Sequence, residues 1–420
     1  VSSHEVVLES SSTLHGQLQR GLGRAARRAA DRRGAGEYVY DCVLRDPRWD
    51  RQCEDRALYY ARLMVDLELP TGPLAEFLFA PDDLTDSDDW RAALPLAVLA
   101  DLVRLSRREA AEVLRRYAEE GAHWFDALDE LVGLRDPSLT IGLDRLAATR
   151  CDEAELDHLV AGPHNPVIEI WAERQPRIAA ALERRRPAGR MRRPGGPAAE
   201  RPARTEEELL ELARRGDDGA VSAIFELGRR RSPGLLDLAE EVLPQRPGNR
   251  WGGVVCRALR EFGGPETLPR AREWAASRGG CADMGLRILA RHGTRQDIPL
   301  LMRALDDALA RREWGESAGP IEGLGRLRAG EAVPLLKTAW SESTYAYLRP
   351  RVLTALTRTA PHTAETYTIE GLWDCEEGVR EIAVQLAPLT QETRTRLQRL
   401  HHDAAEEPGI RATAAARMIT

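Results

Sequence analysis

A leucine recurs every 30 to 35 residues through the second half of the chain, a period characteristic of stacked helix pairs and foreign to a single irregular globule. With Leu227, Leu259, Leu289, Leu324, Leu356 and Leu386 as anchors, the spacings are 32, 30, 35, 32 and 30 residues. Three positions before the anchors stand Ile224, Cys256, Leu286, Ile321, Leu353 and Ala383, all apolar, and an i−3 partner lies on the same helix face. Sixteen positions after them come Leu243, Ala275, Leu305, Trp340, Leu372 and His402, where only the histidine breaks the pattern. Gly263, Gly264, Gly293 and Gly330 punctuate the interval. Pro269, Pro299 and Pro334 fall where the first turn of the next helix tolerates a missing N–H. Each unit therefore reads helix, turn, helix, and such pairs bury their apolar faces only by stacking on their neighbours.

The same frame appears in the first half at Leu63, Leu102 and Leu131, with Tyr60, Leu99 and Leu128 at minus three. Its longest gap holds the acidic run PDDLTDSDD (Pro81 to Asp89), expected as an exposed loop whose acids cap the helix beginning near Trp90. Between Glu183 and Thr205 eight arginines alternate with four prolines and three glycines, which excludes a continuous helix. The reading is an all-α chain, an α-solenoid of stacked antiparallel helix pairs in two arrays. A basic N-terminal segment at 1–36 precedes an array at 37–183, a Pro/Gly/Arg-rich linker at 184–205 and a second array at 206–420. Composition agrees: aromatics are 5% against 43% hydrophobic and 30% charged residues, which suits amphipathic helices better than sheets.

The stretch LWDCEEGVREIAVQL (Leu372 to Leu386) resembles a HEAT repeat, with an acidic turn at Asp374 to Glu377 and the pair Val379-Arg380 opening the second helix. Ile410-Arg411 repeats that pair 31 residues later. The resemblance implies a HEAT-like solenoid in which the turn acid caps the second helix and the arginine bonds across to the neighbouring unit. It covers Glu206 to Thr420 and, more faintly, Tyr38 to Val160.

Several patterns invite chemistry. Gly21-Leu22-Gly23-Arg24-Ala25-Ala26 matches the dinucleotide fingerprint GxGxxA, but the preceding HGQLQR is polar and no strand, so a flexible basic N-terminal helix is expected. His401 and His402 are adjacent and point apart on a helix, and the six cysteines include no close pair, so neither a metal nor any other cofactor is expected. The segment HWFDALDELVG (His123 to Gly133) resembles part of the HEAT-like alkylpurine DNA glycosylases. That resemblance implies that Trp124, Asp126 and Asp129 hold a damaged nucleotide, with Asp129 stabilising cationic charge at the sugar. Phe125 stands where a second tryptophan belongs. The competing reading puts Leu128 and Leu131 in the core and leaves the acids solvated.

Repeat solenoids mostly grip partner proteins, and tryptophan and arginine are enriched where binding energy concentrates. Trp251, Trp274 and Trp314, with Arg184, Arg185, Arg186, Arg190, Arg192 and Arg193, are accordingly the interaction candidates. The expectation is a non-enzymatic protein-binding scaffold or adaptor. The alternative is nucleic-acid binding through the arginine clusters, despite a net charge of -7. The longest apolar run, Ala92 to Ala100, is too short for a membrane span. The acidic opening VSSHEVVLESSS does not read as a signal peptide, so a cytoplasmic location is expected.

Overall fold

The computed structural model describes residues 7–84, 88, 90–185, 204–216, 219–244, 250–260, 262–264, 266–277 and 279–419. Among the described residues there are 26 α-helices, four short 3-10 turns and no strand. None of these helices is long and apolar enough to cross a membrane. The chain divides into two compact units, one made of residues 1–195 and 368–420, the other of residues 196–367.

In the second unit the repeat frame becomes five antiparallel helix pairs: Glu206–Arg215 with Ala220–Arg230, Gly234–Val242 with Arg250–Leu259, Thr267–Ala276 with Ala282–His292, Ile298–Arg311 with Trp314–Arg326, and Val333–Glu342 with Arg349–Thr359. The anchors Leu227, Leu259, Leu289, Leu324 and Leu356 are fully buried, as one apolar stripe per helix requires. Pro299 and Pro334 occupy first helical turns. Ion pairs tie successive pairs together: Arg214 to Glu241 at 2.9 Å, Arg270 to Glu240 at 2.7 Å, Arg272 to Asp297 at 2.6 Å. Gly323 and Gly325 set the spacing of the second helices. A Cβ on Gly323 would lie 2.7 Å from the Ala290 Cα, and one on Gly325 2.7 Å from the Ala355 Cα, so only glycine lets Trp314–Arg326 press against both neighbours.

The first unit buries Leu63, Leu102 and Leu131 in the same way. Leu386 departs from the frame. It is 52% exposed at the end of its helix, Glu377–Leu386, where Ala387, in extended conformation, takes the inward place. The acidic run is exposed at Pro81, Asp82, Leu84 and Asp88, as expected, with one exception. Asp83 is buried, accepting hydrogen bonds from the Tyr117 hydroxyl and Arg91 at 2.7 Å and from the Ala122 amide at 3.0 Å. Asp88 does cap the approach to the next helix through the Trp90 amide, while residues 85–87 and 89 lie outside the described residues.

The basic N-terminal segment is no loose helix. Leu14–Gln19 and Gly23–Ala29 bury Leu18, Leu22 and Ala25 completely. Tyr59 and Tyr60 donate to the carbonyls of Leu22 and Leu18, each at 3.0 Å. The Gly21 carbonyl accepts from the Cys375 amide at 3.0 Å, and Arg24 pairs with Glu370 at 2.9 Å. The two glycines of the GxGxxA match thus serve packing against residues 368–375: Gly21 has a positive φ of 68°, and Gly23 faces the Glu370 carbonyl.

In the HEAT-like stretch, Arg380 does bridge to the next helix pair, reaching Glu406 at 2.8 Å. The turn acid Asp374 accepts from the Glu376 amide at 2.9 Å, while the N-cap residue of Glu377–Leu386 makes no side-chain cap.

Candidate functional site

The second helices Arg250–Leu259, Ala282–His292, Trp314–Arg326 and Arg349–Thr359 turn their apolar faces inward, through Val255, Ile288, Ile321 and Val352 among others. Their opposite faces line a groove of about 850 Å³. Seven arginines reach it, Arg257, Arg260, Arg287, Arg291, Arg326, Arg351 and Arg358, against three acids, Asp283, Glu316 and Glu322. Several are already engaged. Arg287 pairs with Asp283 at 2.8 Å, one turn back on its own helix, and Arg351 reaches Glu322 at 2.8 Å on the neighbouring helix. Arg326 donates to the carbonyls of Ala290 at 2.9 Å and Gly293 at 2.7 Å, satisfying the C-terminal end of the preceding second helix.

Arg257, Arg260 and Arg358 are exposed and have no ion-pair partner among the described residues. The floor between them is apolar and small, with Met284, Leu286, Ala290 and Pro320. The space beside Gly253 and Gly319 is open, since a Cβ at either would meet nothing within 4 Å. A smaller hollow of about 390 Å³, sharing Glu322, Arg351 and Arg358, extends the groove towards Pro350 and Thr354. Low-dielectric walls lined by an excess of one charge focus the field inside such a groove, which therefore favours an anionic ligand over a neutral one.

None of these arginines was among the sequence candidates, though a signal for them exists. Two positions after the anchors stand Arg229, Arg291, Arg326 and Arg358, so arginine follows the repeat itself. Residues one period apart come together when the pairs stack, whereas runs of arginine adjacent in sequence are the ones that catch the eye.

The sequence candidates fall elsewhere. Trp274 and Trp314 are 6% and 3% exposed, with their indole N–H groups bonded to Glu240 at 2.7 Å and Thr344 at 2.9 Å, so both fill space between helices and present no face to a partner. Trp251 lies in the Arg250–Leu259 helix, and its side chain is outside the described set. Arg184 is held by Glu153 and Asp157 at 2.7 and 2.6 Å, and Arg185 by the carbonyls of Val160 and Gly162. Arg186, Arg190, Arg192 and Arg193 lie outside the described residues.

Trp124, Asp126 and Asp129 share the Trp124–Gly133 helix in the first unit. The Arg150 guanidinium stands over one face of the Trp124 ring, 4.2 Å from its centre. Phe125 meets Trp124 edge-on at 5.8 Å and His158 at 5.9 Å. Asp129 is half exposed, with the His158 imidazole 3.4 Å away. Burial raises the pKa of Asp126, partly offset by His123.

Glu130 on this helix and Asp101 on the neighbouring Ala93–Arg104 are the more perturbed. Burial pushes Glu130 up to about 7 and Asp101 up to about 6, against the pull of Arg104, which pairs with Asp101 at 2.7 Å. Asp55 adds to both shifts, and Asp101 and Asp129 add to that of Glu130. A carboxyl whose folded pKa lies above its unfolded value, ~4.3 for glutamate, costs stability progressively as pH rises between the two. Glu130→Gln should therefore leave stability nearly unchanged near pH 4 and raise it by about 3 to 4 kcal/mol at pH 8. Urea melts at the two pH values check this, and equal effects at both would remove Glu130 as the titrating group.

Searches against protein families, curated proteins and solved structures found no match to this chain.

Proposed function

We propose that the chain is a non-enzymatic binding protein, a HEAT-like α-solenoid whose second-helix groove at residues 253–358 holds an acidic, partly apolar segment of a partner protein. The observation that carries this is the groove itself, seven arginines against three acids over an apolar floor, with Arg257, Arg260 and Arg358 unpaired among the described residues. The solenoid reading rests on the regular pairing of helices, on the stacking of second helices between 282 and 359, and on the Arg380 bridge at the HEAT-like turn. The cytoplasm is its proposed compartment, in keeping with six free cysteines.

A protein partner is favoured over nucleic acid by the lining. Asp283, Glu316 and Glu322 interrupt the arginines, which weakens a track for evenly spaced phosphates but suits a peptide of mixed character. Met284, Leu286 and Pro320 offer apolar contacts that a phosphate backbone does not use. A glycosylase is disfavoured because Arg150 already covers Trp124 and the half-exposed Asp129 lies beside a histidine.

Fluorescence anisotropy with a labelled peptide alternating Glu with Leu, and in parallel a labelled DNA duplex, tests the reading. The peptide should bind, and Arg257→Glu, Arg260→Glu and Arg358→Glu combined should weaken it by about a hundredfold, with a flattened salt dependence. Gly319→Trp should obstruct the groove with the helix intact. Binding of the duplex alone would favour the nucleic-acid alternative, and peptide binding indifferent to all four substitutions would remove the groove from the argument.

A further inference from the structure

The first unit carries a separate basic cleft, built from residues 62–66, 104–106 and 396–404 and about 390 Å³ in volume. Arg62, Arg104, Arg396, Arg399 and His402 line it against Asp66 and Asp403. Arg62 is satisfied by Asp403 at 2.6 Å and Glu406 at 3.0 Å, and Arg104 by Asp101 at 2.7 Å. Arg396 is not. It is only 8% exposed, and its Nε donates to the Leu372 carbonyl at 3.0 Å. The Trp373 ring lies 5.2 Å from its guanidinium carbon. Yet among the described residues no carboxylate comes within ion-pair distance, and Nη1 and Nη2 make no hydrogen bond while remaining open to the cleft.

A buried guanidinium without a counter-charge is strongly unfavourable, more so with other cations beside it. Burial, Arg62 and Arg380 together lower the Arg396 pKa to about 9, despite the more distant Asp66 and Glu406. Arg399 likewise has no ion-pair partner among the described residues. His402 spends Nδ1 on the Gln398 carbonyl at 2.8 Å and keeps Nε2 uncommitted. Three basic side chains thus border one small space with no carboxylate of the described residues bound to any of them.

We propose that this cleft is an oxyanion site for a small phosphate ligand, either free phosphate or the phosphoryl group of a small ester, held by Nη1 and Nη2 of Arg396 with Arg399 and His402 at its open side. The planar guanidinium fork matches two oxygens of a tetrahedral anion, and a doubly charged group answers several cations as a single carboxylate does not. The depth of Arg396 selects a small molecule over a macromolecular backbone, since only an anion that enters the cleft reaches it. Asp66 stands at the lining and repels anions, which limits the affinity. The site lies in the first unit and is independent of the arginine groove.

Isothermal titration of the full chain with inorganic phosphate, and separately with glycerol 3-phosphate, tests it. At least one should bind saturably at one site, and Arg396→Gln should weaken that binding by about tenfold or more. Arg399→Gln, at an exposed position, should also weaken it, and carries the test should Arg396→Gln fail to fold. Tighter binding of glycerol 3-phosphate identifies an esterified ligand, and equal or tighter binding of phosphate the free ion. In phosphate-free buffer Arg396→Gln should melt at or above the wild-type temperature, and the ligand should raise the melting temperature of the wild type only. The proposal fails if neither probe binds, if binding survives both substitutions, or if Arg396→Gln lowers the melting temperature equally with and without ligand, which would make Arg396 a packing residue.

Discussion

Gly23→Ala is expected to destabilise the first unit by about 3 kcal/mol, although alanine is the better helix former by up to ~1 kcal/mol. The reason is where Gly23 sits. As the first residue of Gly23–Ala29, it approaches the chain at 370–374 so closely that a Cβ would lie 2.0 Å from the Glu370 carbonyl oxygen and 3.0 Å from the Asp374 amide. Both are backbone atoms, so no side chain can swing aside, and the two segments must part. Their separation would also stretch the Gly21 to Cys375 hydrogen bond, the Arg24 to Glu370 pair and the stacking of Arg27 over Trp373. Gly162→Ala is the control, because its Cβ meets nothing within 4 Å and its stability should change by less than about 0.5 kcal/mol. Urea unfolding gives the free energies, and hydrogen exchange should show protection lost at both 14–29 and 368–375. A Gly23→Ala protein as stable as the Gly162→Ala protein would mean that residues 14–29 do not pack against 368–375.

That contact joins positions some 346 residues apart, as in the Arg24 to Glu370 bond, and nothing in the local pattern announces it. The glycines and arginines of residues 20–33 were legible as a basic helical segment. Which surface they meet depends on the whole chain between. Helix pairing in 206–359 was legible because each pair repeats the same leucine face within one period, so local spacing and tertiary burial coincide at Leu227, Leu259, Leu289, Leu324 and Leu356. The groove was half legible. Arg257 with Arg260 and Arg287 with Arg291 show a shared face within a helix, but their convergence depends on tertiary stacking of the second helices, which Gly323 and Gly325 tighten between 282 and 359. The unpaired Arg396 was not legible, since the sequence shows an arginine-rich helix and leaves out which of its cations find a carboxylate.

Leu289→Asp is expected to unfold the second unit, while Leu386→Asp, at the same rank in the repeat, should cost no more than about 1 kcal/mol. Removing a buried leucine side chain costs roughly 2–5 kcal/mol, and placing an unpaired carboxylate in its position adds several more. The sum reaches the ~5–15 kcal/mol that a whole domain has in reserve. Leu289 is fully buried in the middle of Ala282–His292, whose neighbours Ile288 and Ala290 are buried as well, so no small movement brings the charge to water. Protonation is the only escape, and it would cost in proportion to the distance between the working pH and the raised pKa of the new group. Leu386 is 52% exposed at a helix end, and an aspartate there stays solvated. Circular dichroism melts and hydrogen exchange across 282–359 distinguish the two substitutions. Equal losses would mean that repeat position alone decides the energetics. A large loss at Leu289 with a small one at Leu386 would show that burial does.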